Sequence, residues 1–297
     1  MPVHSLREAL EDAEKRHIGL GHFNFSDLVV LKAAADVARQ LKVPVVVGVS
    51  EGERDFVGVR QAAALVKSIR EEFQQPIFLN ADHTHSLPRA IEAAKAGFDL
   101  IVFDASNQPF DENVKQTKEA VAATKSINPE ILIEGEIGYI GASSTIHSSV
   151  PKDLSPLTTP EQAKQFVDAT GVDLLAPAVG TMHGMLQSMV SGKENKHLNI
   201  ARIKEIKAAT HLFLTLHGGS GTATDEFVSG IHAGLNLIHI NTELRVAWRR
   251  GLEEEFAKKP EEVTPYHLLP GAYRAVSEVV KSRLETFSGL AAKEARF

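Results

Sequence analysis

The sequence predicts a closed parallel (β/α)8 TIM barrel with extra C-terminal helices. Three observations predict it. Eight short runs rich in aliphatic and β-branched residues recur along the 297 residues. Segments with helical apolar spacing lie between them, and this βαβα alternation calls for a parallel sheet. No GxGxxG turn is present, which favours the barrel over a doubly wound open sheet, the alternative that the same alternation allows.

The runs, in order, are HIGLGHFNF (17–25), VPVVVGVS (43–50), PIFLNADH (76–83), FDLIVFDAS (98–106), ILIEGEIG (131–138), VDLLAPAVG (172–180), HLFLTLHGGS (211–220) and LNLIHINTEL (235–244). Several are nearly continuous in apolar residues, as strands buried on both faces require. Asp27 to Leu41 has helical spacing. The segment 86–97 opens on Ser86, carries Pro88 in its first turn and ends at Gly97, and 159–171 repeats the arrangement with Thr159, Pro160 and Gly171. The whole chain, 1–297, reads as one barrel. Residues from about 245 to 297 add two further helices, more than a barrel needs, and are expected to contribute to a subunit contact.

Composition narrows the function. Hydrophobic residues make up 43% and charged residues 24%, as in a globular protein. With 32 basic and 38 acidic side chains the net charge is −6, and no basic run suits nucleic acid. An anionic ligand must therefore be held by local groups. Cysteine is absent, so any metal would rest on His, Asp or Glu. The N-terminal segment lacks the apolar core of a signal peptide, and no apolar stretch reaches the ~18 residues of a membrane span. A soluble, cytoplasmic protein is expected, with no nucleic-acid or membrane partner.

Barrel enzymes carry their chemistry at the carboxyl ends of the strands. There the runs place Asn24, Ser50, Asp82, His83, Asp104, Ser106, Glu134, Glu136, His217, His239, Asn241 and Thr242, with His183 three residues past the sixth run. In a barrel without cysteine, His83, His183 and His217 are a candidate catalytic zinc set. Asp82, beside a ligand, is either a proton carrier or a partner that orients an imidazole. HGGSG (217–221) follows the seventh run and INT (240–242) belongs to the eighth. Loops after those two strands are the usual phosphate site of this fold, so Gly218, Gly219, Ser220, Asn241 and Thr242 are phosphate candidates. None of the eight runs contains a lysine, so Schiff-base chemistry is not expected.

These motifs resemble the class II, zinc-dependent ketose-bisphosphate aldolase family over nearly the whole chain. ADH (81–83) is similar to the family's catalytic Asp and first zinc ligand. FDASNQPFDENVKQTKE (103–119) carries the aspartate, Asp104, that approaches the metal. IEGEIGYIG (133–141) carries Glu136, which would contact metal. VGTMHGM (179–185) and LHGGSGT (216–222) hold the other two ligands. The resemblance implies that Gly184, Gly218 and Ser220 bind phosphate and a monovalent cation, and that a second divalent ion can join the zinc. HINTEL (239–244) resembles the phosphate motif of the last strand. SRLETF (282–287) makes Arg283 the arginine that reaches a partner subunit's substrate in a homodimer or homotetramer.

The implied reaction is reversible cleavage of a phosphorylated ketose, fructose 1,6-bisphosphate first, to dihydroxyacetone phosphate and an aldehyde. The chain also departs from the family. His239 stands where Asn is usual, Leu237 where a basic residue is usual, and Asn80 where the HxDH motif begins. The loop GASSTIHSSVPKD (141–153) lacks the acidic proton donor, with His147 or Tyr139 as candidate replacements. These departures keep open a divergent aldolase for another ketose, a metal-dependent sugar epimerase, and a non-catalytic phosphosugar-binding protein.

Overall fold

The computed structural model describes residues 5–141 and 143–290. Among these residues ten strands run in chain order: β1 (Leu20–Asn24), β2 (Val45–Val49), β3 (Ile77–Thr84), β4 (Leu100–Phe103), β5 (Leu132–Ile137), β6 (Ile146–His147), β7 (Leu174–Pro177), β8 (Met185–Leu186), β9 (Phe213–Leu216) and β10 (Leu235–Ile240). Eight of them close a parallel barrel in the order β1-β10-β9-β7-β5-β4-β3-β2. Each barrel strand lies inside one of the eight runs, except that β3 continues one residue past its run to Thr84. The runs overreach because their polar and glycine-rich ends are loops at the mouth. Residues 217–220, for instance, follow β9 as a turn.

The described residues form twelve helices: α1 (Leu6–Arg16), α2 (Leu28–Leu41), α3 (Glu51–Val57), α4 (Val59–Phe73), α5 (Leu87–Ala96), α6 (Phe110–Ile127), α7 (Pro160–Thr170), α8 (Gln187–Val190), α9 (Ile200–Thr210), α10 (Thr224–Ala233), α11 (Thr242–Lys258) and α12 (Pro265–Phe287). Ser86, which opens the segment 86–97, stands at the N-cap of α5 without a side-chain hydrogen bond, whereas other helices carry side-chain caps. Asp27 accepts a hydrogen bond from the Val30 N–H at 2.9 Å, and Thr159 forms a reciprocal box with Gln162. Gly97 and Gly171 end their helices in the left-handed conformation. The two C-terminal helices are α11 and α12; residues 291–297 of the expected C-terminal segment lie outside the described residues.

The strands have two apolar faces with different partners. Outward residues such as Phe23, Val47, Ile101, Ile133 and Leu214 pack under the helices. Inward residues at the amino-terminal end, Leu20, Val46, Phe78, Leu100, Leu132, Leu174 and Leu237, form a separate cluster closed by Leu6, Ala9, Leu10 and Ala13 of α1. Helix α1 is thus the plug of the barrel floor. Leu237 belongs to this floor, which is why an apolar residue stands there.

Two residues further along, five of the eight barrel strands turn polar on the inward side. His22, Asn80, Glu134, Thr215 and His239 are all buried. Gly48 leaves the space that the His22 ring fills; a Cβ there would overlap its Nε2 and Cε1. One step higher come Asn24, Asp82, Asp104, Glu136, His217 and Asn241, at the mouth.

Candidate active site

The mouth cleft is lined by Asn24, Asp82, His83, Ser144, His183, Gly184, His217, 218–220, His239, Asn241 and Thr242. A larger groove lies outside the barrel between α4 and α5, lined by Arg60, Lys67 and Lys95, and shares no residue with the mouth.

Strand alternation would turn Asp82 and His83 to opposite faces. The chain avoids this with a left-handed residue: His83 has φ of 41°, and the β3–β4 register shifts between Ala81 and Thr84. Both side chains therefore reach the mouth. The buried Arg54 holds this turn, donating to Val49 O at 2.9 Å, Asp82 O at 3.3 Å and Thr84 Oγ1 at 3.0 Å.

His83, His183 and His217 converge, each offering a ring nitrogen within 4.8 Å of the others. Each ring is anchored by its other nitrogen. His83 Nδ1 meets Asp104 Oδ2 at 2.9 Å, His183 Nδ1 donates to the Gly141 carbonyl, and His217 Nε2 meets Glu134 Oε1 at 2.7 Å. Glu134 is itself held by the Thr215 hydroxyl at 2.8 Å. The inward-facing atoms are then His83 Nε2, His183 Nε2 and His217 Nδ1, the first and last 3.1 Å apart. His183 Nε2 is buried and has no hydrogen-bond partner among the described residues. Imidazoles oriented by outer acceptors, with a free nitrogen aimed at one point, are what a divalent metal requires. Burial pulls His183 down to about 3, so it is neutral and its lone pair is available.

Asp104 and Glu136 flank His83 on the other side and form with it a second possible metal-binding group. Burial and the neighbouring Asp104 push Glu136 up to about 8. A cation beside it would restore its charge.

Asp82 is 3% exposed. Its Oδ2 accepts from Asn24 Nδ2 at 2.8 Å, and Asn24 also donates to Glu53 at 2.9 Å. Its Oδ1 faces His239 Nδ1 at 3.3 Å. Burial works against its charge, but His83 and His239 outweigh burial and hold Asp82 well below the usual carboxylate range. His239 lies between two other imidazoles, stacked on His22 with centroids 3.6 Å apart and tilted over His217 at 4.1 Å. Burial keeps both His239 and His22 below the usual imidazole range, His22 at about 4. His22 also meets Asn80 at 3.0 Å, so Asn80 serves the polar floor of the site rather than its mouth.

The loops after β9 and β10 are tied together. The Ser220 hydroxyl oxygen accepts from Asn241 N and Glu243 N, each at 3.3 Å, and Gly221 N donates to Glu243 Oε1 at 2.7 Å. The N-terminus of the 17-residue α11 begins here, at Thr242. The expected phosphate residues 218–220, Asn241, Thr242 and Gly184 thus share one cleft. Two expected residues do not join it. Ser50 sits at the rim, its N–H donating to Glu53 at 2.8 Å. Arg283 is engaged within its own chain, with Nε and Nη2 both at 2.8 Å from Glu243.

The loop lacking the acidic donor is a strap. Its β6 pairs in parallel with β8, Ile146 beside Met185 and His147 beside Leu186. His147 packs behind Gly184, outside the cleft lining, while Ser144 enters the lining. Tyr139 is likewise not among the lining residues; its N–H donates to Ser155 Oγ at 2.9 Å. Sequence reasoning did not single out Ser144, Arg54, Glu53 or Lys196. Lys196 lies in the α8–α9 connection, and only the fold brings it near the mouth.

The family model described as fructose-bisphosphate aldolase class-II matches residues 4–290. A protein of Bacillus subtilis (strain 168) called "Probable fructose-bisphosphate aldolase" is 32% identical over 290 residues, covering 97% of this chain and 98% of that one. The "Fructose-bisphosphate aldolase" of Staphylococcus aureus (strain Mu50) is 30% identical over 292 residues, with 97% and 98% covered. Among solved structures, the YdjI aldolase of Escherichia coli K12 superposes with a TM-score of 0.81 at 28% identity, covering 95% of this chain and 96% of that chain. With the barrel, the convergent imidazoles and a match over almost its full length, the chain belongs to the class II fructose-bisphosphate aldolase family, a family of lyases.

Proposed function

We propose that this protein catalyses reversible aldol cleavage of a phosphorylated ketose, fructose 1,6-bisphosphate first, to dihydroxyacetone phosphate and an aldehyde. The observation that carries the reading is the conjunction of three anchored imidazoles with the buried, ionised Asp82 beside them. The residues fit a divalent ion, because His183 Nε2 is buried without a partner and each ring is held by a separate acceptor. His83, His183 and His217 would hold zinc, and Asp104 and Glu136 with His83 could take a second divalent ion. When bound, zinc supplies Lewis-acid polarisation of the ketose carbonyl.

The chain's own residues do the rest. Asp82, kept ionised, accepts the C4 hydroxyl proton in cleavage and returns it to the aldehyde oxygen in condensation. Asn24 fixes its carboxylate through Oδ2, leaving Oδ1 for the proton. Backbone N–H groups of 218–220, the N-terminus of α11 and Thr242 bind the phosphate, since a helix start and a glycine turn both favour an anion. Among the described residues no helix is long and apolar enough to cross a membrane. A homodimer or homotetramer using α11 and α12 accords with the exposed Phe256, Val263 and Tyr266 there.

A second reading keeps the reaction and changes the ketose. It is favoured by His239, a rigid stacked imidazole facing Asp82 where the motif usually has an amide. Retro-aldol assays of the zinc-loaded protein on fructose 1,6-bisphosphate and tagatose 1,6-bisphosphate separate the readings. Cleavage of fructose 1,6-bisphosphate is expected, and cleavage of neither sinks the bisphosphate assignment. Asp82→Ala should keep its metal by elemental analysis and lose about 100-fold or more in kcat; near-normal turnover removes Asp82 from the chemistry.

A further inference from the structure

The resemblance implies a monovalent cation beside the phosphate loop, and the structure puts a side chain there instead. Lys196 is 4% exposed. Its Nζ donates to Met182 O at 2.7 Å, Gly184 O at 2.6 Å and Gly218 O at 2.8 Å. These carbonyls belong to the two loops that carry His183 and His217. We infer that the Lys196 ammonium is a built-in cation that fills this three-carbonyl cradle, so that the protein takes up no free monovalent cation there.

The argument begins with the oxygens. Three backbone carbonyls aimed at one buried point repel one another and have lost water, so the point must hold a positive charge or several donors. Gly218 has φ of 65°, and a Cβ on it would collide with Met182 O, so the close approach of the two loops depends on glycine.

An ammonium has three N–H groups, and three acceptors are present. A neutral amine has two, and its lone pair would face a carbonyl oxygen. The donor count therefore calls for the charged form. Burial pulls Lys196 down to about 7 against the opposing charge of Glu243. Glu243 is held by Arg283 and by Gly221 N. The Lys196 backbone is fixed too, its N–H donating to Gly221 O at 2.9 Å and its chain bridging to Thr222. The lysine thus sits under the turn formed by 218–222 and ties it to the loop after β7. Its charge lies behind the phosphate candidates whatever salt is in the medium.

The inference stands on this geometry and does not require the proposed reaction. It is tested by replacing potassium with thallium(I) and locating thallium by anomalous diffraction. In the wild-type protein no peak is expected at the carbonyls of Gly184 and Gly218, and a thallium ion bound to them would overturn the inference. Lys196→Ala, which leaves the cradle vacant, should bind thallium there. KCl should raise its melting temperature above that in choline chloride at equal ionic strength, while the wild type melts identically in both salts. A folded Lys196→Ala protein that takes no thallium would also count against a cation cradle. If alanine prevents folding, Lys196→Met keeps the bulk and removes the charge; it should melt below the wild type, and an unchanged melting temperature would contradict the proposal. These readouts are independent of turnover, so failure of the aldolase assignment would leave them interpretable.

Discussion

The orientation of His217 illustrates how single side chains make the site. A neutral imidazole can carry its proton on either nitrogen; Glu134, anchored by Thr215, accepts a hydrogen bond from the Nε2–H and leaves the Nδ1 lone pair facing His83 and His183. Glu134→Gln keeps the shape and removes the charge that holds this tautomer. Zinc affinity should fall about 10- to 100-fold, read by competition with a chromophoric chelator. Unchanged affinity would show that the carboxylate does not orient the ligand. Both glutamates of β5 are visible in the sequence as an i, i+2 pair, but not their division of labour. Glu134 stands one inward step below Glu136, and only the barrel interior reveals which imidazole each one meets.

At the level of elements, the phosphate candidates depend on a junction. Ser220 accepts from two backbone N–H groups at the start of α11 and so joins the β9 turn to that helix. Ser220→Ala leaves both donors without this acceptor. KM for the phosphorylated ketose should rise about five- to tenfold with a smaller change in kcat, measured by steady-state kinetics. A fall in kcat at constant KM would place Ser220 in the chemical step instead. The turn ending β3 is the companion case. Sequence pattern finds the strand and the neighbouring Asp82 and His83, but alternation predicts opposite faces. The left-handed backbone at His83, held by Arg54, resolves that conflict.

At the level of the molecule, the barrel is closed at one end by α1 and opened at the other by its polar rim. Leu10 is fully buried against the inward strand residues of the floor. Leu10→Ala should destabilise the fold by about 2–5 kcal/mol in urea denaturation, through lost burial and the cavity left behind. The activity of the folded fraction should be unchanged, because the floor lies at the opposite end from the mouth. Loss of activity without loss of stability would refute that separation. The N-terminal segment reads as amphipathic from its sequence. What its apolar face covers becomes apparent only when seven strands present inward residues at one level.

Local rules account for what the sequence alone determines. Strands buried on both faces need continuous apolar runs, and helices need caps, so eight runs, Thr159, Gly97 and Gly171 are legible one at a time. The three histidines are legible too, since a fixed fold assigns polar residues after its strands to one rim. What requires the tertiary structure is every contact between segments distant in the chain. Glu134 meets His217 across 83 positions, His22 stacks on His239 across the closing pair of strands, and Lys196 reaches three carbonyls from an irregular connection. No periodicity encodes these pairings. They arise because closing the barrel shuts water out of its interior, and each buried polar group must then be satisfied by whichever partner the closure brings within reach.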